Sequence, residues 1–103
     1  MSIDVIAFNP TDENFHYRNY PAGVWDDLIE VSTTVAGEIA EHAPYDPKSQ
    51  MNGEVEPEET NRVGQLLLQA IEAASPNDDW RLRSPDVKDW AEFLVGCRGF
   101  RWF

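Results

Sequence analysis

The chain is short of basic residues. Eight lysines and arginines stand against nineteen aspartates and glutamates, a formal net charge of −11 over 103 residues. A surface this negative repels nucleic acid and anionic membrane and attracts basic surfaces. Cysteine is nearly missing: Cys97 is the single thiol. No disulfide framework forms within such a chain, which suits a reducing, cytosolic compartment. No run of about 18 apolar residues occurs, so no membrane-spanning helix is expected. The opening MSIDVIAFNPTDE has no basic region and no long apolar run, and it reads as no signal peptide. Gly37, Gly53 and Gly64 stand isolated, so no glycine-rich phosphate loop is present.

What remains is ample for a core. Hydrophobic residues make up 42% of the chain, with twelve aromatics among them, and the length suits a single domain. SIDVIAF (2–8) reads as a strand, with Ile3, Val5 and Ala7 on one face and Ile6 and Phe8 on the other. NPTDE carries turn chemistry, and NFHYRNY alternates Phe15 and Tyr17 against His16 and Arg18, a second strand able to form a hairpin with the first. A helix is expected from about Pro21 to Ala43, with Trp25, Leu28, Ile29, Ser32, Val35, Ala36, Ile39, Ala40 and Ala43 at three- and four-residue steps.

A proline-rich loop follows, with a turn at Asn52-Gly53 and a short pairing segment at Glu54-Val55-Glu56. A second helix starts at Pro57 with Glu58 and Glu59 in its first turn, and buries Val63, Leu66, Leu67, Ala70, Ile71 and Ala74. Leu68 lies off that stripe. NDDWRLR is a connector in which Trp80 and Leu82 are expected to point the same way. Ser84 caps a third helix with Val87, Trp90, Phe93, Leu94 and Cys97 facing inward and Gly99 closing it. FRWF reads as a last strand able to pair with the first. The expected class is α+β, a small antiparallel sheet packed against three helices.

Constellations for chemistry are sparse. Glu38, Glu41 and His42 offer a carboxylate and an imidazole one turn apart, but zinc needs three or four ligands, so no metal site and no cofactor are expected. Cys97 with His16 or His42 would make a nucleophile–base pair, yet Cys97 falls on the buried stripe of its helix, where an inert thiol is the ordinary case. The pairs Asp26-Asp27, Glu58-Glu59 and Asp78-Asp79 lack the contrasting environments that catalytic carboxylates require. No catalytic residue is therefore assigned, and the chain is expected not to be an enzyme. Base stacking by the aromatics would need a basic groove beside them, which this charge opposes.

Charge is also uneven. Residues 1–79 hold sixteen acids and three bases, whereas residues 80–103 hold three acids and five bases. On the expected long helix, Asp27, Glu30, Glu38 and Glu41 fall opposite Trp25 in one stripe about 21 Å long. Asp26, Asp46, Glu54, Glu56, Glu58 and Glu59 extend it. Neighbours one turn apart lie about 5–6 Å from each other, a spacing comparable to the phosphates of a nucleic-acid strand. These ten carboxylates are the expected partner-binding residues. The basic C-terminal segment, with Arg81, Arg83, Lys88, Arg98 and Arg101, is expected to pair internally with the acidic part.

At YRN (17–19), Trp25, NGEV (52–55) and EFLVGCRGF (92–100) the sequence resembles a family of small uncharacterised bacterial and phage proteins. That resemblance implies no activity. In size and acidity the chain is also similar to phage-encoded inhibitors of bacterial defence, including acidic anti-CRISPR proteins. The functional expectation is a non-catalytic interaction protein, monomer or homodimer, in the cytoplasm of a bacterial host. It would bind and block a basic surface of a nucleic-acid-handling complex, without contacting nucleic acid or membrane itself. The other expectation is an immunity-type or regulatory protein with an apolar contact surface at Leu68, Tyr20 and Tyr45.

Overall fold

The computed structural model describes residues 2–37 and 53–103. Strand β1 (Ser2–Ala7) buries Ile3, Val5 and Ala7 on one face, as its alternation requires. It pairs antiparallel with β2 (Tyr17–Pro21) over the register Ser2↔Pro21 to Ile6↔Tyr17. A 3-10 turn, Glu13–Phe15, joins them, capped by the Asp12 carboxylate accepting from the Asn14 N–H. Thus Phe15 belongs to the turn, and only the later part of NFHYRNY is strand. Pro21, expected at a first helical position, is the last residue of β2 and the N-cap of helix α1 (Ala22–Ala36). An edge strand tolerates it because no ladder partner needs its missing N–H.

Strand β3 (Gly53–Val55) leads into helix α2 (Pro57–Ala73); a 3-10 turn, Trp80–Arg83, precedes helix α3 (Pro85–Cys97), and β4 (Phe100–Trp102) follows. Among the described residues the strands form one antiparallel sheet in the order β2-β1-β4-β3. The first and last strands pair, Val5↔Trp102 to Ala7↔Phe100, and β3 adds to β4 through Gly53↔Trp102 to Val55↔Phe100. With three helices beside this sheet, the fold is α+β.

An aromatic cluster fills the core. Trp25 meets Trp90 edge-on at 5.5 Å between ring centroids and Trp102 at 5.7 Å, while Trp90 meets Phe100 edge-on at 5.5 Å. Offset and edge-on pairs of this kind add about 0.5–1.5 kcal/mol each beyond area burial. Tyr20 joins the cluster, and its hydroxyl donates to Asp89 Oδ2 at 3.2 Å. The same carboxylate takes a forked pair from Arg18 at 2.9 and 3.2 Å, which fastens β2 to α3. Tyr20, expected as an exposed contact residue, is therefore core, at 6% exposure. Leu68 is likewise half-buried against the core.

Helix α3 matches its expected inward face of Val87, Trp90, Phe93, Leu94 and Cys97, and Ser84 Oγ accepts from the Asp86 N–H at its start. Its end differs. Arg98 is the C-cap, at φ 54 and ψ 51, and Gly99 follows at φ 91. Two successive left-handed residues reverse the chain into β4. Gly99 is required there because a Cβ would also stand 3.1 Å from the Val55 carbonyl oxygen. Its N–H donates to the buried Thr60 hydroxyl at 3.1 Å, which ties the turn to the first turn of α2.

Candidate functional site

Helix α1 ends seven residues short of its expected limit. Ser32, Thr33 and Thr34 each donate a side-chain hydroxyl to the carbonyl four residues back, at 2.7, 2.9 and 2.9 Å, an arrangement that does little for helix stability. Gly37 then leaves the helix at φ 78 and ψ 177. Of the expected acidic stripe, Asp27 and Glu30 are the residues that the described α1 carries. Asp26, Asp27 and Glu30 are exposed on α1. Glu38, Glu41 and Asp46 lie outside the described residues, as do His42, Tyr45 and the Asn52 half of the expected turn.

The remaining acids fall at the opposite end of the molecule. α1 starts where Pro21 pairs with Ser2, and α2 starts beyond Val55, which pairs with Phe100 beside Ala7. These are the two ends of β1. The helices run antiparallel, and the Arg62 Nη1 on α2 donates to the last carbonyl of α1, that of Ala36, at 2.7 Å. Glu56, at the N-cap of α2, and Glu58 and Glu59 in its first turn thus sit near the finish of α1. About 15 Å of helix separates Asp26 from that end. Glu54, on the edge strand β3, faces Arg101 across the ladder.

Several of these charges are already answered. Glu30 pairs with Arg81 at 3.3 Å, Glu54 with Arg101 at 3.0 Å, and Glu59 with Arg62. Arg81 also binds Asp79, and that hydrogen-bonded pair holds the Asp79 carboxyl below its ordinary value and the guanidinium above its own. Of the five basic residues expected to pair internally, Arg81 and Arg101 do so, whereas Arg83, Lys88 and Arg98 form no ion pair among the described residues. Asp26, Asp27, Glu56 and Glu58 have no ion pair among the described residues. They divide two to each end.

A small cavity of about 110 Å³ opens at the first of these ends. Val24, Leu28 and Val87 line it with Asp27, Asp86, Ser84, Arg81 and Trp80. Trp80 is 70% exposed although Leu82, two residues on, is buried. The expectation that both point one way fails because the segment is a 3-10 turn. At three residues per turn, positions i and i+2 point in different directions. The exposure of Trp80 is therefore not legible from alternation along the chain.

Two other surfaces lie apart from the expected acidic residues. A broad cleft of about 570 Å³ lies along Pro10, Thr11, Asp12, Glu13 and His16. The helix-free face of the sheet carries Phe8, Tyr17 and Phe103, each more than 40% exposed, beside the half-buried Ile6. There the Tyr17 hydroxyl and the Asn19 amide donate to Asp4 Oδ1 and hold that carboxyl below its ordinary value.

Cys97 is fully buried, and burial pushes its thiol up to about 11. It sits in the core. Among the described residues no three His, Cys, Asp or Glu side chains gather as metal ligands, and no helix there is long and apolar enough to cross a membrane. Compared with protein-family models, with curated proteins and with solved structures, the chain finds no match.

Proposed function

We propose that this is a non-catalytic binding protein whose carboxylates engage a basic protein surface, one that otherwise holds nucleic acid, and so block it. The setting is a bacterial cytoplasm, in keeping with the likeness in size and acidity to phage-encoded inhibitors. The observation that carries the reading is how charge is distributed. Arg18, Arg62, Arg81 and Arg101 are tied to the protein's own carboxylates, while Asp26, Asp27, Glu56 and Glu58 face outward at two ends without a cation among the described residues. Acids held apart in this way suit a partner with basic residues spaced along a groove better than a single-point contact. Their long-range field would speed encounter and would be screened by salt.

Affinity capture from bacterial lysate at low and at high salt tests the reading. A nucleic-acid-binding complex retained at low salt, released at high salt and lost in the Asp26→Asn, Asp27→Asn, Glu56→Gln, Glu58→Gln variant is expected. A partner that survives high salt and ignores those substitutions would overturn it. A specific observation favours a second reading, a regulatory contact through apolar surface. Phe8, Tyr17 and Phe103 share the open face of the sheet, and they take the place of Tyr20 and Leu68 as the residues to test.

A further inference from the structure

The cavity beside Trp80 has a wall, a floor and a rim of different chemistry. The wall is an indole exposed over 70% of its surface, in a protein whose Trp25, Trp90 and Trp102 are buried. The floor is aliphatic, from Val24, Leu28 and Val87. The rim carries the carboxylates of Asp27 and Asp86. Arg81 also lines the cavity, but its guanidinium is held by Asp79 at 2.6 Å and by Glu30 at 3.3 Å. Two carboxylates thus answer the one guanidinium while Asp27 and Asp86 line the cavity without an ion pair among the described residues, and the local balance is negative.

Size limits the occupant. Pockets for free metabolites span roughly 300–1,000 Å³, whereas this one holds about 110 Å³. One side chain fits that space. Chemistry narrows it further. Among aromatic side chains, tryptophan presents the face that attracts cations most strongly. An aliphatic floor suits the methylene stem of a long basic residue. Carboxylates at the rim match a planar guanidinium, which both stacks on an aromatic ring and donates to carboxylate in pairs.

We infer that the Trp80 cavity, with Asp27 and Asp86 at its rim, is the pocket for a single arginine side chain of the basic partner. This rests on the proposed function and adds to it the point at which the partner is anchored. It also explains an exposed tryptophan that packing leaves unused. The other acidic end, at Glu56 and Glu58, then contributes attraction without a pocket.

The test is a titration of isotope-labelled protein with the capped tripeptide Gly-Arg-Gly, followed through the tryptophan indole N–H signals. Gly-citrulline-Gly, nearly the same shape without the charge, and Gly-Lys-Gly serve as comparisons. The expected result is a saturable shift of the Trp80 indole and of the Asp27 and Asp86 amides with the arginine peptide, and none with citrulline. Trp80→Ala, at an exposed site that leaves folding intact, should weaken binding about five- to tenfold. Asp27→Asn with Asp86→Asn should weaken it similarly. Equal shifts with citrulline, or tighter binding of lysine, would overturn the arginine assignment. Shifts at Glu56 and Glu58 with Trp80 unmoved would overturn the pocket and leave the acidic-surface reading standing. No shift anywhere, even with hexa-arginine, would overturn both.

Discussion

Ser32 shows how much one hydroxyl settles inside this core. Its Oγ donates to the Leu28 carbonyl at 2.7 Å and accepts from the Trp90 indole N–H at 3.0 Å, in a fully buried position. Ser32→Ala leaves that indole N–H without a partner, which costs about 1–3 kcal/mol. Thr34→Ala, at an exposed position on the same helix, should stay within about 0.5 kcal/mol. Urea midpoints of the two variants check the contrast, and equal midpoints would contradict it. Ser32 was legible as an inward residue because it keeps step with Trp25, Leu28 and Ile29. Ile3, Val5 and Ala7 were legible by alternation, and Val87, Trp90, Phe93, Leu94 and Cys97 by helical spacing. Trp80 was not, since alternation was assumed where a 3-10 turn lies. Nor was the burial of Tyr20, which depends on Asp89 and Trp90, far along the chain.

At the scale of the element, α2 and α3 approach so closely that Gly64 has no room for a side chain. A Cβ there would stand 2.8 Å from Val95 Cγ2 and 3.0 Å from the Val95 backbone nitrogen. Intrinsic helix propensity favours alanine over glycine by about 1 kcal/mol, and overpacking opposes it by about 1–3 kcal/mol. The backbone contact cannot swing aside as a side chain can, so packing wins. Gly64→Ala is expected to destabilise by roughly 1 kcal/mol in thermal or urea unfolding, and a gain in stability would contradict the close approach. Strand and helix types followed from local pattern: the hairpin and the Ser84 cap rest on residues near one another in sequence, whereas Val55 finds its partner Phe100 far along the chain. The end of α1 did not follow. Gly37 takes a left-handed φ at the C-cap of α1, and apolar spacing does not reveal such a stop.

Across the whole molecule, topology decides what the charge does. Carboxylates that seemed to lie on one line are divided because α1 and α2 start at opposite ends of β1. The excess of acids was plain in the composition, but its division was hidden, because it depends on the order β2-β1-β4-β3 and on antiparallel helices. Two separated ends imply two separable contributions to binding. Exposed charges are screened by salt, with a Debye length of about 10 Å at 0.1 M, shorter than the roughly 15 Å of helix between the ends. The most direct measurement is therefore the salt dependence of affinity for the captured partner, compared among the wild type, Asp26→Asn with Asp27→Asn, and Glu56→Gln with Glu58→Gln. Each pair of substitutions should weaken binding at low salt and flatten the salt dependence, with the first pair having the larger effect because it neutralises Asp27, one of the two carboxylates of the Trp80 cavity. Affinity and salt dependence unchanged in both variants would contradict the account, and would leave the carboxylates as solvated surface.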